Sequence, residues 1–260
     1  MIKRVFSIVL TVISLFTLVL PVSAQAENGV TEPEYYAAQI SVNNKDAWGD
    51  HVGKWYYKTW TGKAITPKVK VWFSGDYLEN GNSIQVIKEL TNGQDYKLTL
   101  GNNTDMGYCR LNITGIGKYS DVDIVKKARD TSYESMTEED FDLIIGTDYT
   151  KGPIFVIRPL GTKLNKVKGQ KKAVKVTWKK QAKKMSVKRI TGYQIQFSTR
   201  KDFKGNTKNV TVKGYKNTSK TVKKLKAKKK YYVRVRTYFQ CKDGFKSYST
   251  WSKAKTVKTK

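Results

Sequence analysis

Apolar and polar side chains alternate in short runs through the C-terminal part of the chain. Three runs, at residues 174–178, 193–197 and 231–235, place an apolar residue at every second position. A period of two puts the apolar groups on one face of a β-strand. Shorter runs at 210–212 and 256–257 predict two further strands. Several short strands, each with one buried face, predict an antiparallel β-sandwich.

A similar alternation recurs between residues 60 and 160. One run follows Pro67, which stands at a strand start where no hydrogen-bond donor is needed. The alternating apolar positions are Val69, Val71, Leu98, Leu100, Cys109, Leu111, Ile113, Ile154 and Val156. They predict a second sandwich, so the fold class is all-β with two antiparallel β-sandwich domains. Cys109 falls on the inward phase of its strand and is predicted to be a buried structural thiol.

One short helix is predicted inside an insertion at residues 121–151. Thr137 precedes three acidic residues and then apolar residues from Phe141 onward, which is the pattern of a capped helix N-terminus. The helix dipole explains the acids, and the alternating spacing of a calcium loop is missing. We therefore expect a helix packed on the sandwich and not a catalytic or calcium site.

The first 26 residues have the pattern of a secretory signal peptide. Two basic residues precede an apolar run at residues 5–19, Pro21 ends the run, and residues 24–26 read Ala-Gln-Ala, which suits a signal peptidase. An uncleaved membrane anchor is the alternative, because the run approaches the ~20 residues that span a bilayer. We expect cleavage after residue 26 and a secreted protein with no transmembrane segment after cleavage.

Charge divides the rest of the chain. Residues 27–160 carry 15 basic and 19 acidic residues, whereas residues 161–260 carry 33 basic and 2 acidic residues. The net charge changes from −4 to +31 beside Pro159 and Gly161. Such a shift predicts a domain boundary, giving a signal peptide at 1–26 and domains at 27–160 and 161–260.

Catalytic chemistry is poorly supported by the residue types present. The two cysteines, Cys109 and Cys241, have neither the spacing of a disulfide framework nor that of a metal site. The single histidine, His51, lies beside Asp50 and Gly53 in a predicted loop. We expect no enzyme activity, no metal and no cofactor.

The C-terminal domain resembles a fibronectin type III domain, of the lysine-rich kind found on Gram-positive bacteria. The resemblance rests on Trp178, residues 190–193, Leu225 six residues before Tyr231, and Trp251 with Ser252. It implies a structural core that contains Trp178, Tyr193, Tyr231 and Trp251. It also implies that the Tyr231 hydroxyl ties a corner of the chain and that Trp251 opens the last strand.

The N-terminal domain resembles an Ig-like repeat of Gram-positive surface proteins. The similar segments are residues 60–67, 93–96, 102–107 and 113–119. Extra stretches interrupt the resemblance near residues 80–92 and between residues 120 and 152.

Lysines on the second sandwich are candidates for binding a polyanion. A net charge of +31 within 100 residues repels itself unless a counter-polyanion is present. Anionic cell-wall polymers or polysaccharide are the expected partners, and no specific nucleic acid is expected, because no recognition helix is present. The candidate residues are Lys175, Lys179, Lys180, Lys228, Lys229, Lys230, Arg234 and Arg236.

Aromatic residues are dense between residues 35 and 60 and allow two interpretations. They could pack in a core, or they could form a carbohydrate platform with Trp48, Trp55, Tyr56 and Trp60. The chain is thus predicted to be a non-catalytic surface protein that binds wall polymers or a protein partner. A carbohydrate-binding accessory module is the alternative.

Overall fold

The computed structural model describes residues 33–43, 56–134 and 154–260. The predicted signal peptide, His51, Trp48, Trp55 and the helix start at Thr137 lie outside these residues, so those expectations stay predictions.

Strands dominate the described residues and confirm the predicted all-β class. The first seven strands are β1 (Glu34–Val42), β2 (Tyr57–Thr59), β3 (Val69–Glu79), β4 (Asn82–Leu90), β5 (Tyr96–Leu100), β6 (Gly107–Gly115) and β7 (Ile154–Arg158). The next eight are β8 (Leu164–Gln170), β9 (Ala173–Trp178), β10 (Gly192–Ser198), β11 (Thr207–Lys213), β12 (Ser219–Val222), β13 (Lys230–Gln240), β14 (Lys246–Tyr248) and β15 (Lys255–Lys258).

The strands form four sheets. Their orders are β1-β3-β4, β2-β7-β6-β5, β12-β9-β8 and β11-β10-β13-β14, and β15 also pairs with β13. The recorded pairings are antiparallel except that of β2 with β7, which is parallel.

The chain divides into two compact units. In the first unit, the described residues are 33–35 and 74–86, which include the ends of β3 and β4 and the tight turn between them. Asn80 and Gly81 form this turn with φ angles of 50° and 79°, a left-handed pair that suits a two-residue hairpin. The stretch at residues 80–92, which interrupts the resemblance to the Ig-like repeat, therefore contains this turn and strand β4. The second unit contains residues 36–73 and 87–260.

The second unit has one α-helix among its described residues, α1 (Ile124–Glu134), inside the predicted insertion. The Asp123 carboxylate accepts a hydrogen bond from the Lys126 N–H at 2.8 Å and so caps the first turn. Ile124 and Ala128 are buried one turn apart on the face that packs inward.

Strands β8 to β15 enclose one hydrophobic core. The inward residues of β9 pack against those of β10 and β13, as the alternation predicts, and the Trp178 and Tyr193 rings lie 5.2 Å apart. Met106, in the loop before β6, is 3% exposed and belongs to this same core. Burial of its side chain contributes about 1.5–3 kcal/mol.

Further contacts join β6 and β7 to the C-terminal strands. Tyr108 packs edge-on against Phe245 with ring centroids 5.2 Å apart, and its hydroxyl donates a hydrogen bond to Asp243. The Ser247 hydroxyl donates to the Ile157 carbonyl at 2.9 Å. The predicted boundary at residue 160 is internal to the second unit and stays a prediction.

Candidate anion-binding surfaces

Six exposed lysines meet at one end of the C-terminal sandwich, which we call the lysine end. Lys171 and Lys172 form the turn between β8 and β9, the segment before β13 supplies three more, and Lys260 follows β15 by two residues. The lysine end consists of Lys171, Lys172, Lys226, Lys228, Lys229 and Lys260.

Backbone hydrogen bonds hold these segments together. The Lys172 N–H donates to the Lys260 carbonyl at 3.1 Å, and the Thr259 N–H donates to the Lys229 carbonyl at 3.0 Å. The Thr259 hydroxyl donates to the Lys226 carbonyl at 2.7 Å and accepts from the Lys229 N–H at 3.0 Å. Because these bonds fix the backbone, the ammonium groups are anchored on a rigid base.

Left-handed backbone conformations occur at lysines in this region. Lys172, Lys224 and Lys228 have φ angles of 49°, 59° and 52°. Glycine or asparagine adopts this conformation at less cost, and a strained non-glycine residue costs on the order of 1–3 kcal/mol. Lysine therefore occupies positions where local backbone energy favours other residues, as Ser186 and Phe203 also do.

The corner that the sequence comparison assigns to Tyr231 adjoins the lysine end. The Tyr231 side chain is buried, and its hydroxyl accepts a hydrogen bond from the Lys226 N–H at 3.1 Å. The ring also packs edge-on to Phe197, with centroids 6.4 Å apart. This contact fixes the chain just before β13 and thereby positions the lysines that precede it.

Lys175 lies on the outer face of the sheet formed by β12, β9 and β8. It stands directly opposite Lys168 on β8, and Lys166 stands opposite Thr177. Like charges that face each other across two strands are destabilising. Within the described part of the chain, no carboxylate lies within ion-pair distance of these three lysines.

Lys179 and Lys180 lie at the opposite end of β9 from the lysine end. The Lys179 N–H donates to the Lys163 carbonyl at 2.9 Å. Seven residues separate Lys179 from Lys172, which corresponds to about 23 Å along an extended strand. Lys230 instead continues from the lysine end onto β13, where it stands opposite Lys258. The structure thus divides the predicted lysines between two ends of the sandwich and the sheet face that carries Lys175.

Arg234 and Arg236 are not free surface cations. They project from the outer face of β13 into a stack that we call the arginine ladder, in the order Phe203, Arg234, Trp251, Arg236, Tyr248. The Arg234 guanidinium carbon lies 3.9 Å from the Phe203 ring centroid and 4.5 Å from that of Trp251. The Arg236 carbon lies 4.2 Å from Trp251 and 3.9 Å from Tyr248.

Glutamines on β10 orient both arginines. Each arginine stands opposite a glutamine across the strand pair. The Nε of Arg234 donates to Gln196 at 2.7 Å, and the Nε of Arg236 donates to Gln194 at 2.8 Å. Burial lowers the pKa of Arg236 to about 10 and also lowers the pKa of Arg234. Both groups remain charged at neutral pH although they have lost much of their water.

The expectation that Trp251 is a core residue that opens the last strand needs correction. The strand begins at Lys255, and Trp251 is half-buried outside the core cluster, between the two arginines. Its neighbour Ser252 pairs with β13, because its N–H donates to the Val235 carbonyl at 2.8 Å. Trp178, Tyr193 and Tyr231 do lie in the core.

The aromatic platform is described only at Tyr56 and Trp60, since Trp48 and Trp55 lie outside the described residues. Trp60 packs against the core of the C-terminal sandwich, and Lys183 Nζ lies 5.1 Å from its ring centroid. Tyr56 lies 6.3 Å from Phe155. Both rings are half-buried in these contacts, so core packing accounts for them better than an open sugar platform.

Cys109 is fully buried on β6, and Cys241 is half-buried after β13; both are free thiols. Burial raises the pKa of Cys109 to about 11, so its thiol stays protonated at neutral pH. Among the residues that the structure describes, no cluster of three metal-ligating side chains occurs. No described helix is long and apolar enough to cross a membrane.

Sequence reasoning missed part of each surface. Lys171, Lys172, Lys226 and Lys260 joined the lysine end only through contacts distant in sequence. No local sequence pattern predicts that Phe203 and Tyr248 contact the arginines of the ladder. The positions of the two arginines, two residues apart on one strand, do predict that they share a face.

Comparison with known proteins identifies a family that the C-terminal segment resembles. Residues 160–254 match the family model of the fibronectin type III domain. A search of the curated proteins finds no match. The solved structures that resemble the chain include the fn3 domain of the human collagen alpha-1(XX) chain, at 19% identity and a TM-score of 0.29, over 39% of this chain and 86% of that one. They also include the chicken CNTN1 FN1–FN3 domains, at 12% identity and a TM-score of 0.33, over 75% of this chain and 44% of that one.

The family match agrees with the strand pattern and with the Tyr231 corner. Domains of this kind are typically non-catalytic binding or structural modules and are commonly extracellular. Residues 160–254 form a fibronectin type III domain.

Proposed function

We propose that the chain is a secreted, non-catalytic surface protein held to anionic cell-wall polymers by the lysine end of its fibronectin type III domain. The proposal rests on one observation: six exposed lysines converge on one rigid, hydrogen-bonded base. Within the described residues, no carboxylate forms an ion pair with any of the six.

The energetics favour a polymeric anion over a single small one. Individual exposed lysine–anion contacts are weak, and salt screens them beyond ~8 Å at physiological ionic strength. Six of them acting on one polymer release several counterions together. For a flexible phosphate chain the release corresponds to a slope of about −0.7 per contact in a plot of log affinity against log salt, which gives about −4 for the lysine end.

The test measures retention of the full chain on purified cell walls across a salt series. One sample of wall retains its phosphate polymers, and a matched sample has been stripped of them. We expect retention on the first sample only, with release as salt rises.

Two charge-matched variants locate the site. Replacing Lys171, Lys226 and Lys229 with Gln removes half of the lysine end and should reduce the salt slope by about 2. Replacing Lys201, Lys204 and Lys242 with Gln removes the same charge from exposed loops elsewhere. If both variants lose affinity equally, retention follows net charge and the lysine end is not the site. Retention that resists high salt would also contradict the proposal.

A further inference from the structure

Three guanidinium groups lie near the outer face of β13. Arg234 and Arg236 belong to the arginine ladder, and Arg158 at the end of β7 lies 3.8 Å from the Tyr57 ring centroid. The charges of Arg234 and Arg158 both act to lower the pKa of Arg236, so each of the two lies near enough to repel Arg236. We call these three residues the arginine strip.

The strip has no internal counter-charge. In the described part of the chain, no carboxylate lies within ion-pair distance of any of the three arginines. The Nε of Arg158 is also buried without a hydrogen-bond partner. An unpartnered guanidinium N–H beside two other cations is costly, since a buried donor normally finds an acceptor. The buried Nε adds to the cost of this arrangement but is out of reach of a ligand, so it is the missing counter-charge that indicates an external anion.

The ladder determines how such an anion can bind. Aromatic rings contact the Arg234 and Arg236 guanidiniums, and Gln196 and Gln194 accept hydrogen bonds from their Nε groups. No hydrogen bond among the described residues uses the terminal N–H groups of either arginine. A pair of such N–H groups matches the two oxygens of a carboxylate, which a planar guanidinium binds in a bidentate manner. Positions 234 and 236 repeat at about 7 Å along the strand.

We propose that the arginine strip binds the carboxylates of an acidic polysaccharide. The edges of half-buried aromatic rings separate the guanidiniums, so the strip alternates cationic and apolar surface. A chain of uronic acid units has the same alternation, because each unit combines an apolar ring face with one carboxylate. This site differs from the lysine end in its residues and in its requirement for guanidinium geometry.

The test measures the affinity of the full chain for polygalacturonate, with polyglutamate and polyphosphate as parallel probes. The Gln194→Glu variant places a carboxylate beside Arg236, where it competes with the ligand while preserving the ladder. We expect at least a tenfold loss of polygalacturonate affinity with no loss of stability to urea. Gln240→Glu, at the exposed end of β13, makes the same charge change and should leave affinity within twofold of the parent.

Several results would overturn the inference. They are the absence of polygalacturonate binding, an equal loss in the two glutamate variants, or polyglutamate binding as tight as polygalacturonate binding. Loss of polygalacturonate binding when Lys171, Lys226 and Lys229 become Gln would assign the polymer to the lysine end instead. Loss of wall retention in that variant, with polygalacturonate affinity preserved, would support two separate sites.

Discussion

The contact between Trp251 and Arg236 offers a quantitative test of the arginine ladder. The guanidinium carbon lies 4.2 Å from the ring centroid, well within the 6 Å range of cation–π attraction. Such contacts contribute about 0.5–1 kcal/mol at exposed sites and about 2 kcal/mol when desolvated. Burial lowers the pKa of Arg236 to about 10, which shows that this guanidinium is substantially desolvated. We therefore expect a coupling energy of about 1–2 kcal/mol.

A double-mutant cycle measures this coupling directly. Trp251→Leu, Arg236→Met and the double variant are unfolded in urea, and their free energies of unfolding are compared with the parent. Arg236→Met removes the charge but keeps the apolar stem. The coupling should persist at 0.5 M salt, because screening acts weakly on a desolvated pair.

A control cycle separates the contact from general destabilisation. Arg189 lies 4.9 Å from the Tyr215 ring and is not recorded in contact with Trp251. Combining Arg189→Met with Trp251→Leu should give additive effects within about 0.5 kcal/mol. If the Arg236 cycle is equally additive, the ladder is only a geometric coincidence and our reasoning about it is wrong.

Three further predictions concern single residues. The pKa of Cys109 is about 11 in the folded state against 9.0 as its ordinary value, so the unfolded state loses its proton first as pH rises. This group should lower stability by about 1.4 kcal/mol at pH 10 relative to neutral pH, and Cys109→Ala should remove that share of the decline in urea titrations. Gly107→Ala should destabilise the protein more than Gly93→Ala. Both glycines have a positive φ, but only at Gly107 does an added Cβ meet another atom, the Cys241 Sγ at 2.7 Å. Equal losses of thermal stability in the two variants would exclude this steric argument. Tyr231→Phe should cost about 1 kcal/mol through the lost hydrogen bond to a backbone N–H, whereas Tyr232→Phe on the outer face should be neutral by calorimetry.

Much of the C-terminal fold could be predicted because its strands alternate cleanly. The inward residues of β9, β10 and β13 are apolar at every second position, and this period alone assigns them to one buried face. Strand β4 was harder to recognise, since its alternation is weak and half-exposed. Strand β12 has only four residues, too few for a periodic signal.

The candidate surfaces depended more heavily on tertiary structure. The excess of lysine was visible in the sequence, but the lysine end draws together three segments that lie up to 89 residues apart, between Lys171 and Lys260. The resemblance to a fibronectin type III domain places Trp251 in the core and at the start of the last strand. The distances from its ring to the two guanidinium carbons show that it stands between two arginines instead.

The sequence by itself determined the strand faces and the charge asymmetry, because these depend on local spacing and composition, and its resemblance to a known family implied the Tyr231 corner. The tertiary structure decided which lysines share an end, which arginines are stacked, and that Met106 enters the C-terminal core. These features arise from pairing between distant strands. A period of two gives the direction in which a side chain points, whereas the residue it meets depends on which strand lies opposite.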